Sequence, residues 1–127
     1  MSGILLGLGQ LAQPTALLAL LGGVVIGLIV GSLPGLNDSI TMAVLIPITF
    51  GMEPQVAICL LVGIYCASAC GGSVPSILLK IPGTASATVT AYDGYPMSQQ
   101  GKSGQALGLA ISSSTFGGLT SAIVLLF

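Results

Sequence analysis

The sequence predicts an all-α integral membrane protein whose transmembrane helices are interrupted by broken, re-entrant segments at Pro34-Gly35 and over residues 71–83. Three observations carry that prediction. Charged residues make up 4% of the 127-residue chain against 54% apolar residues, and mean hydropathy is +1.08, whereas a soluble domain carries about a quarter charged residues. Apolar runs approaching the ~20 residues that cross a bilayer recur along the chain. Between them, proline and glycine fall where a helix would otherwise continue, and backbone freed from a helix in lipid survives only where protein buries it or it lines a wet cavity. The formal net charge of −1, from Asp38, Glu53 and Asp93 against Lys80 and Lys102, leaves no basic patch for nucleic acid.

Taken in order, residues 1–13 are apolar and uncharged, without the basic start or cleavage pattern of a secretory signal, and read as an interfacial or partly inserted helix. Pro14 suits the first turn of a span over about 15–33. Gly23, Gly27 and Gly31 recur there every fourth residue, a groove for close helix packing, with a substrate passage as the alternative. Pro34-Gly35 ends that helix, and Asn37, Asp38 and Ser39 are N-cap residues for the next run, about 39–50. That run contains Pro47 and has about half the spanning length, which predicts a re-entrant arm or half-helix. Glu53 marks a polar boundary before a second span, about 55–70. Its three cysteines, Cys59, Cys66 and Cys70, read as packing residues, because no histidine completes a soft metal site.

Residues 71–97 are the longest departure from apolar sequence. Helix breakers stand at Gly71-Gly72-Ser73, Pro75 and Pro82-Gly83, isolating a second half-helix at about 74–81. Thr84, Ser86, Thr88 and Thr90 then alternate with Ala85, Ala87, Val89 and Ala91. Period two suggests a strand, but an isolated strand is untenable in lipid, so the stretch reads as the start of a helix in a protected or wet place. Residues 93–103 are expected to form an exposed loop, and 105–127 a last span with Gly104, Gly108 and Ser112 at packing spacing. The hydroxyls of Ser112, Ser113, Ser114 and Thr115 are expected to bond carbonyls one turn back. The chain reads as a single membrane domain. It stops within an apolar run, which predicts the N-terminal portion of a longer protein.

Two soluble-enzyme patterns fail on inspection. Gly101-Lys102-Ser103 resembles the end of a phosphate-binding loop, but Pro96 stands where its first glycine is required. Gly7-Leu8-Gly9-Gln10-Leu11-Ala12 fits a loose dinucleotide fingerprint without a βαβ unit around it. No nucleophile is paired with a base, so the chain does not read as an enzyme.

What remains is a pair of Pro-Gly breaks, each followed by hydroxyl or amide side chains, and two interrupted segments of this kind point to a transporter's binding site. Amides at half-helix N-termini and nearby hydroxyls are donors suited to an anion. The candidate substrate-binding residues are Gly35, Asn37, Ser39 and Thr41 at the first break and Gly83, Thr84, Ser86 and Thr88 at the second, facing one shared cavity. Asp38 is the candidate for a coupling cation. Ordinary interhelical loops at the membrane surface are an equal reading of the pattern. Lys80 is read first as an interfacial anchor and second as a counter-charge for a carboxylate.

Leu33-Pro34-Gly35-Leu36, Leu45-Ile46-Pro47-Ile48-Thr49-Phe50-Gly51, Gly63-Ile64-Tyr65, Gly71-Gly72-Ser73, Ile77-Leu78-Leu79, Pro82-Gly83-Thr84, Asp93-Gly94-Tyr95-Pro96-Met97 and Ala106-Leu107-Gly108 follow one another in an order and spacing that resembles the large membrane subunit (TctA) of tripartite tricarboxylate transporters. The resemblance covers about 22–118. It implies a multi-pass carrier of the cell membrane that takes up citrate-like carboxylates on a cation gradient, Na+ or H+, with no other cofactor. It further implies a longer, internally repeated protein with inverted repeats, a small membrane subunit (TctB) and an extracytoplasmic substrate-binding protein (TctC) as partners. The chain departs from the family's usual pattern at Asn37, Asp38, Tyr65-Cys66, Lys80 and Ala85, and the backbone breaks are intact. Two other classes compete: a non-transporting membrane scaffold assembled through glycine packing, and an intramembrane enzyme. Gene neighbours distinguish the first, lipid or peptide turnover the second. Lys102 places the 93–103 segment on the cytoplasmic side.

Overall fold

A computed structural model describes residues 2–36 and 38–126. Its helices are α1 (Ser2–Leu11), α2 (Pro14–Gly31), α3 (Asp38–Thr49), α4 (Pro54–Gly71), α5 (Ser73–Leu79), α6 (Ala87–Gln99) and α7 (Ser103–Leu126), with no strand among the described residues. Three stretches are long and apolar enough to cross a membrane: Pro14–Gly31, Pro54–Leu79 and Ser103–Leu126. Pro14 and Pro54 each stand in the first turn of their helix, where a missing N–H costs nothing.

The core is the α2–α4 pair. Gly23, Gly27 and Gly31 are buried along α2, facing Ile64, Ala67 and Ser68 on α4. A methyl group on Gly23 would overlap the Leu60 carbonyl oxygen and one on Gly27 the Ile64 carbonyl oxygen; on Gly31 it would lie 2.5 Å from that of Ser68. Reciprocally, a methyl on Gly63 would lie 2.8 Å from the Leu20 oxygen and one on Gly71 3.0 Å from that of Leu28. Backbone therefore touches backbone along the whole pair, which only small residues allow. Partner numbers rise together, so the two helices run parallel.

That direction decides what α3 does. Gly31 lies beside Ser68, so the far end of α2 neighbours the far end of α4, while Pro54 starts α4 at the opposite end. The 12-residue α3, about 18 Å long, and its flanking turns must carry the chain back along the pair. The half-helix expected at 39–50 is thus present as the short helix α3, which with its turns returns the chain along the pair. Pro47 lies near its C-terminal end, where Thr49 Oγ1 donates to the Ile46 carbonyl at 2.6 Å.

The expected break at 71–73 is a joint in a continuous rod. Gly72 keeps helical dihedrals (φ −61°, ψ −20°), its N–H donates to Ser68 O at 2.9 Å, and the Ser76 hydroxyl donates to Gly72 O at 2.9 Å. The half-helix expected at 74–81 is therefore the continuation of α4, and the 26-residue run ends at Leu79. Lys80 stops it in the left-handed region (φ 59°), with the Ile81 N–H reaching Pro75 O at 3.4 Å. Pro82 follows, as is common beyond a helix C-terminus.

The loop expected over 93–103 is corrected by the structure. Asp93 to Gln99 complete α6, and the connection to α7 is confined to 100–102. Gly94 is buried against Ile77, so close that a methyl on it would lie 2.7 Å from Ile77 Cγ1. This contact and the packing of α6 on α5 and α7 outweigh the breaker content of the sequence. The helix instead ends at Gly101, which supplies the positive φ (78°) of a Schellman turn, with Lys102 N–H donating to Met97 O at 3.0 Å.

Two substitutions test this packing. Gly27→Leu should lower the stability of the detergent-solubilised protein by at least about 1–3 kcal/mol, whereas Gly22→Leu on the same helix, where a side chain meets open space, should show no such loss in thermal unfolding. Gly94→Val should separate α6 from α5, read as faster proteolysis within 93–103, while Gly104→Val, also in open space, should not.

Candidate functional site

The break at Pro82-Gly83 is docked into the bundle. A methyl on Gly83 would lie 3.0 Å from Gly72 Cα and 3.1 Å from the Gly31 carbonyl oxygen, so the last residue of α2, the α4–α5 joint and this break meet at one point. Thr84 is 4% exposed and packs against Gly72, where a methyl would lie 2.7 Å from Thr84 Cγ2. Its hydroxyl and that of Ser86 are 3.1 Å apart. The N–H groups of Ala87 and Thr88 donate to Thr84 O and Ala85 O at 3.1 and 3.3 Å. The donors left for an anion at this end of α6 are therefore amides of residues 84–86 and one of the two hydroxyls, since the other donates within the pair.

The first break is less enclosed. Gly35 holds φ +97°, the left-handed region that favours glycine, with open space where its side chain would be. Asn37 lies outside the described residues. Ser39 is exposed, and its N–H donates to Asp38 Oδ1 at 3.2 Å. Asp38, half-buried in the first turn of α3, is therefore placed where a helix favours a carboxylate. Thr41 is buried, on the wall of a 250 Å³ cavity otherwise lined by Ile26, Val30, Leu36, Ile40, Val44 and Leu45.

The structure brings Gly83, Thr84 and Ser86 together and separates the rest. Ser86 lines a 290 Å³ cavity with Ser73, Thr90 and Ser114, while Thr88 opens on a different one with Lys80 and Tyr92. The two tips share the end of α2 as a neighbour, through Gly31, but their hydroxyls line different cavities. In a helix, residues two apart point in nearly opposite directions. Ser86, the N-cap of α6, and Thr88 in its first turn therefore face different cavities, while Thr84, ahead of the helix, keeps its hydroxyl beside that of Ser86.

Sequence reading missed a groove between α5, α6 and α7 that carries hydroxyls and one carboxylate on a mostly apolar wall. Ser73, Thr90 and Ser114 line both the Ser86 cavity and an adjoining one of 350 Å³ that adds Asp93 and Ser113. Asp93, expected in a surface loop, thus stands one turn beyond Thr90 on the same wall. The available signal was helical spacing: Ser86, Thr90 and Asp93 fall at i, i+4 and i+7, a single helix face. Hydroxyls with one carboxylate suit a polar ligand or a cation held by oxygen. Among the described residues, no cluster of three or more His, Cys, Asp or Glu side chains could hold a metal ion.

Comparison with known proteins places this architecture. The profile of the tripartite tricarboxylate transporter TctA family matches residues 17–127. An uncharacterized 52.8 kDa protein in the TAR-I ttuC′ 3′ region of Agrobacterium vitis is 40% identical over 124 residues, covering 98% of this chain and 25% of that protein. The chain thus spans about a quarter of the length of the curated relative it matches. No solved structure matches. Since the profile match runs from the glycine face of α2 through the whole of α7, beyond the reach of any local motif, the chain belongs to the tripartite tricarboxylate transporter TctA family.

Proposed function

We propose that the chain is part of the permease subunit of a carboxylate uptake system in the cell membrane. It is multi-pass there, works with a small membrane subunit and an extracytoplasmic substrate-binding protein, and draws on a Na+ or H+ gradient. Family membership supports the transport reading, and the observation that carries the site is the docking of Gly83 against Gly31 and Gly72. A helix break buried at the meeting of three helices is retained backbone irregularity, which membranes tolerate where it lines a path. The amides of residues 84–86, with Thr84 and Ser86, form the carboxylate-binding end in this reading. Gly35, Asn37, Ser39 and Thr41 at the first break are further candidates for substrate contact in this reading, whereas Thr88 faces the separate Lys80 cavity. Asp38, half-buried, and Asp93, exposed on the groove wall beside the Thr90, Ser113 and Ser114 hydroxyls, are the two candidates for the coupling cation.

In the full-length protein with its partners, Gly83→Val and Ser86→Ala should each reduce citrate-like substrate uptake into cells by at least about tenfold, a loss of about 1.4 kcal/mol of binding, with membrane levels unchanged on immunoblots. Ser39→Ala should reduce it less. Uptake equal to wild type in both Gly83→Val and Ser86→Ala would overturn the site, and absence of carboxylate uptake by the wild-type system would overturn the function.

A further inference from the structure

The chain's cations are Lys80 and Lys102, and the fold puts both at one end. Thr84 packs on Gly72 and Gly94 on Ile77, so α6 runs the same way as α5 and carries the 100–102 connection, with Lys102, to the side where α5 ends at Lys80. Glu53 opens α4 at the other end. Lysines collect on the cytoplasmic side of membrane proteins, which assigns the Lys80 end to that face.

Lys80 itself sits in a formed niche. Thr88, Ala91, Tyr92 and Tyr95 occupy one face of α6, at i, i+3, i+4 and i+7. The Lys80 ammonium lies over the Tyr95 ring, 5.7 Å from its centroid. Beside it is a 240 Å³ cavity lined by Lys80, Pro82, Thr88, Ala91 and Tyr92, which presents an ammonium and two hydroxyls over an apolar floor and no carboxylate. The lysine backbone is left-handed, a conformation that glycine or asparagine holds more easily. Around the niche Leu78, Leu79, Ile81 and Val89 are exposed, an apolar surface at the end of a helix long enough to cross the bilayer. An oxyanion carrying acyl chains fits both parts, whereas a free anion has no use for the apolar surround.

We propose that the niche formed by Lys80, Thr88, Tyr92 and Tyr95 binds the phosphate of an anionic phospholipid headgroup at the cytoplasmic face. Lys80 supplies the charge, Thr88 and Tyr92 the hydroxyl donors, and the Tyr95 ring fixes the ammonium.

The test uses the full chain in nanodiscs of phosphatidylcholine with a minor fraction of phosphatidylglycerol, followed by detergent exchange and mass spectrometry of the retained lipid. Wild type should retain phosphatidylglycerol enriched about fivefold over its bilayer fraction. Lys80→Asn, which removes the charge and suits the left-handed backbone, should abolish the enrichment, Tyr95→Leu should weaken it, and Lys80→Arg and Lys102→Asn should preserve it. Thermal unfolding of Lys80→Asn at or above the wild-type temperature shows that the loss is not misfolding. Enrichment that survives Lys80→Asn, or that falls equally in Lys102→Asn, overturns the proposal. Displacement of the lipid by inorganic phosphate or citrate assigns the niche to a soluble anion and also overturns it.

Discussion

The backbone contact between α2 and α4 is the constraint on which the rest of the structure depends. Lipid is as apolar as leucine, so burying side chains between two membrane helices releases no water, and association rests on packing quality and on weak Cα–H···O contacts at close approach. Gly23, Gly27 and Gly31 bring the α2 backbone against the Leu60, Ile64 and Ser68 carbonyls, which is as near as two helices come. Everything downstream inherits that geometry. A parallel pair needs a return, which α3 provides. The end of α2 is held against the α4–α5 joint, which puts the Gly31 carbonyl where Gly83 can meet it. Any side chain on Gly27 would loosen the pair and move the docking point as well.

Helix breakers in this chain have three different outcomes, and local sequence does not separate them. Gly71-Gly72-Ser73 with Pro75 carries the stronger breaker signal, yet the helix passes through at Gly72, because the Ser76 hydroxyl bonds the Gly72 carbonyl and Thr84 fills the space beside Gly72. Gly94 and Pro96 are absorbed into α6 for a similar reason: Ile77 needs a residue without a side chain opposite it. Pro82-Gly83 does break the chain. There the left-handed Lys80 ends the helix first and Gly31 and Gly72 receive the glycine that follows. In each case the packing partner of the glycine lies at least eleven residues away in sequence, where local pattern has no reach. The glycine periodicity of α2 was legible because its partners are repetitive. The single contacts of Gly72, Gly83 and Gly94 were not.

The candidate site was legible to the same extent. That the second break would lie in a protected or wet place followed from the cost of bare backbone in lipid; Gly83 and Thr84 are buried, and Ala85 and Ser86 are exposed. That all the hydroxyls from 84 to 88 would face one cavity assumed a shared face that only a strand provides. In the helix Ser86 turns to the groove and Thr88 to the Lys80 niche. Asp93 was hidden for a complementary reason: a stretch with glycine, proline and two glutamines reads as a surface loop, and only the burial of Gly94 shows that the segment packs and carries the carboxylate with it.

Hydroxyl bonding divides the chain into surface that is finished and surface that is still able to bind. Ser112, Ser113, Thr115 and Thr120 on α7 all bond carbonyls of their own helix, at 2.8–3.0 Å. These four hydroxyls can face lipid or another helix with their donors satisfied, which suits a helix exposed along nearly its whole length. Ser68 is the opposite case. It is fully buried beneath Gly31, and its hydroxyl has no hydrogen-bond partner among the described residues, a condition that costs about 1–3 kcal/mol. Thr84 and Ser86 bond to each other, so each keeps capacity for a further partner. Ser68, Thr84 and Ser86, whose hydroxyls bond no carbonyl of their own helix, lie around the point where Gly31, Gly72 and Gly83 meet. Four hydroxyls of α7 are thus satisfied within their own helix, whereas those of Ser68, Thr84 and Ser86 stand beside a helix break, a backbone irregularity that lipid tolerates only where protein buries it or it lines a wet cavity.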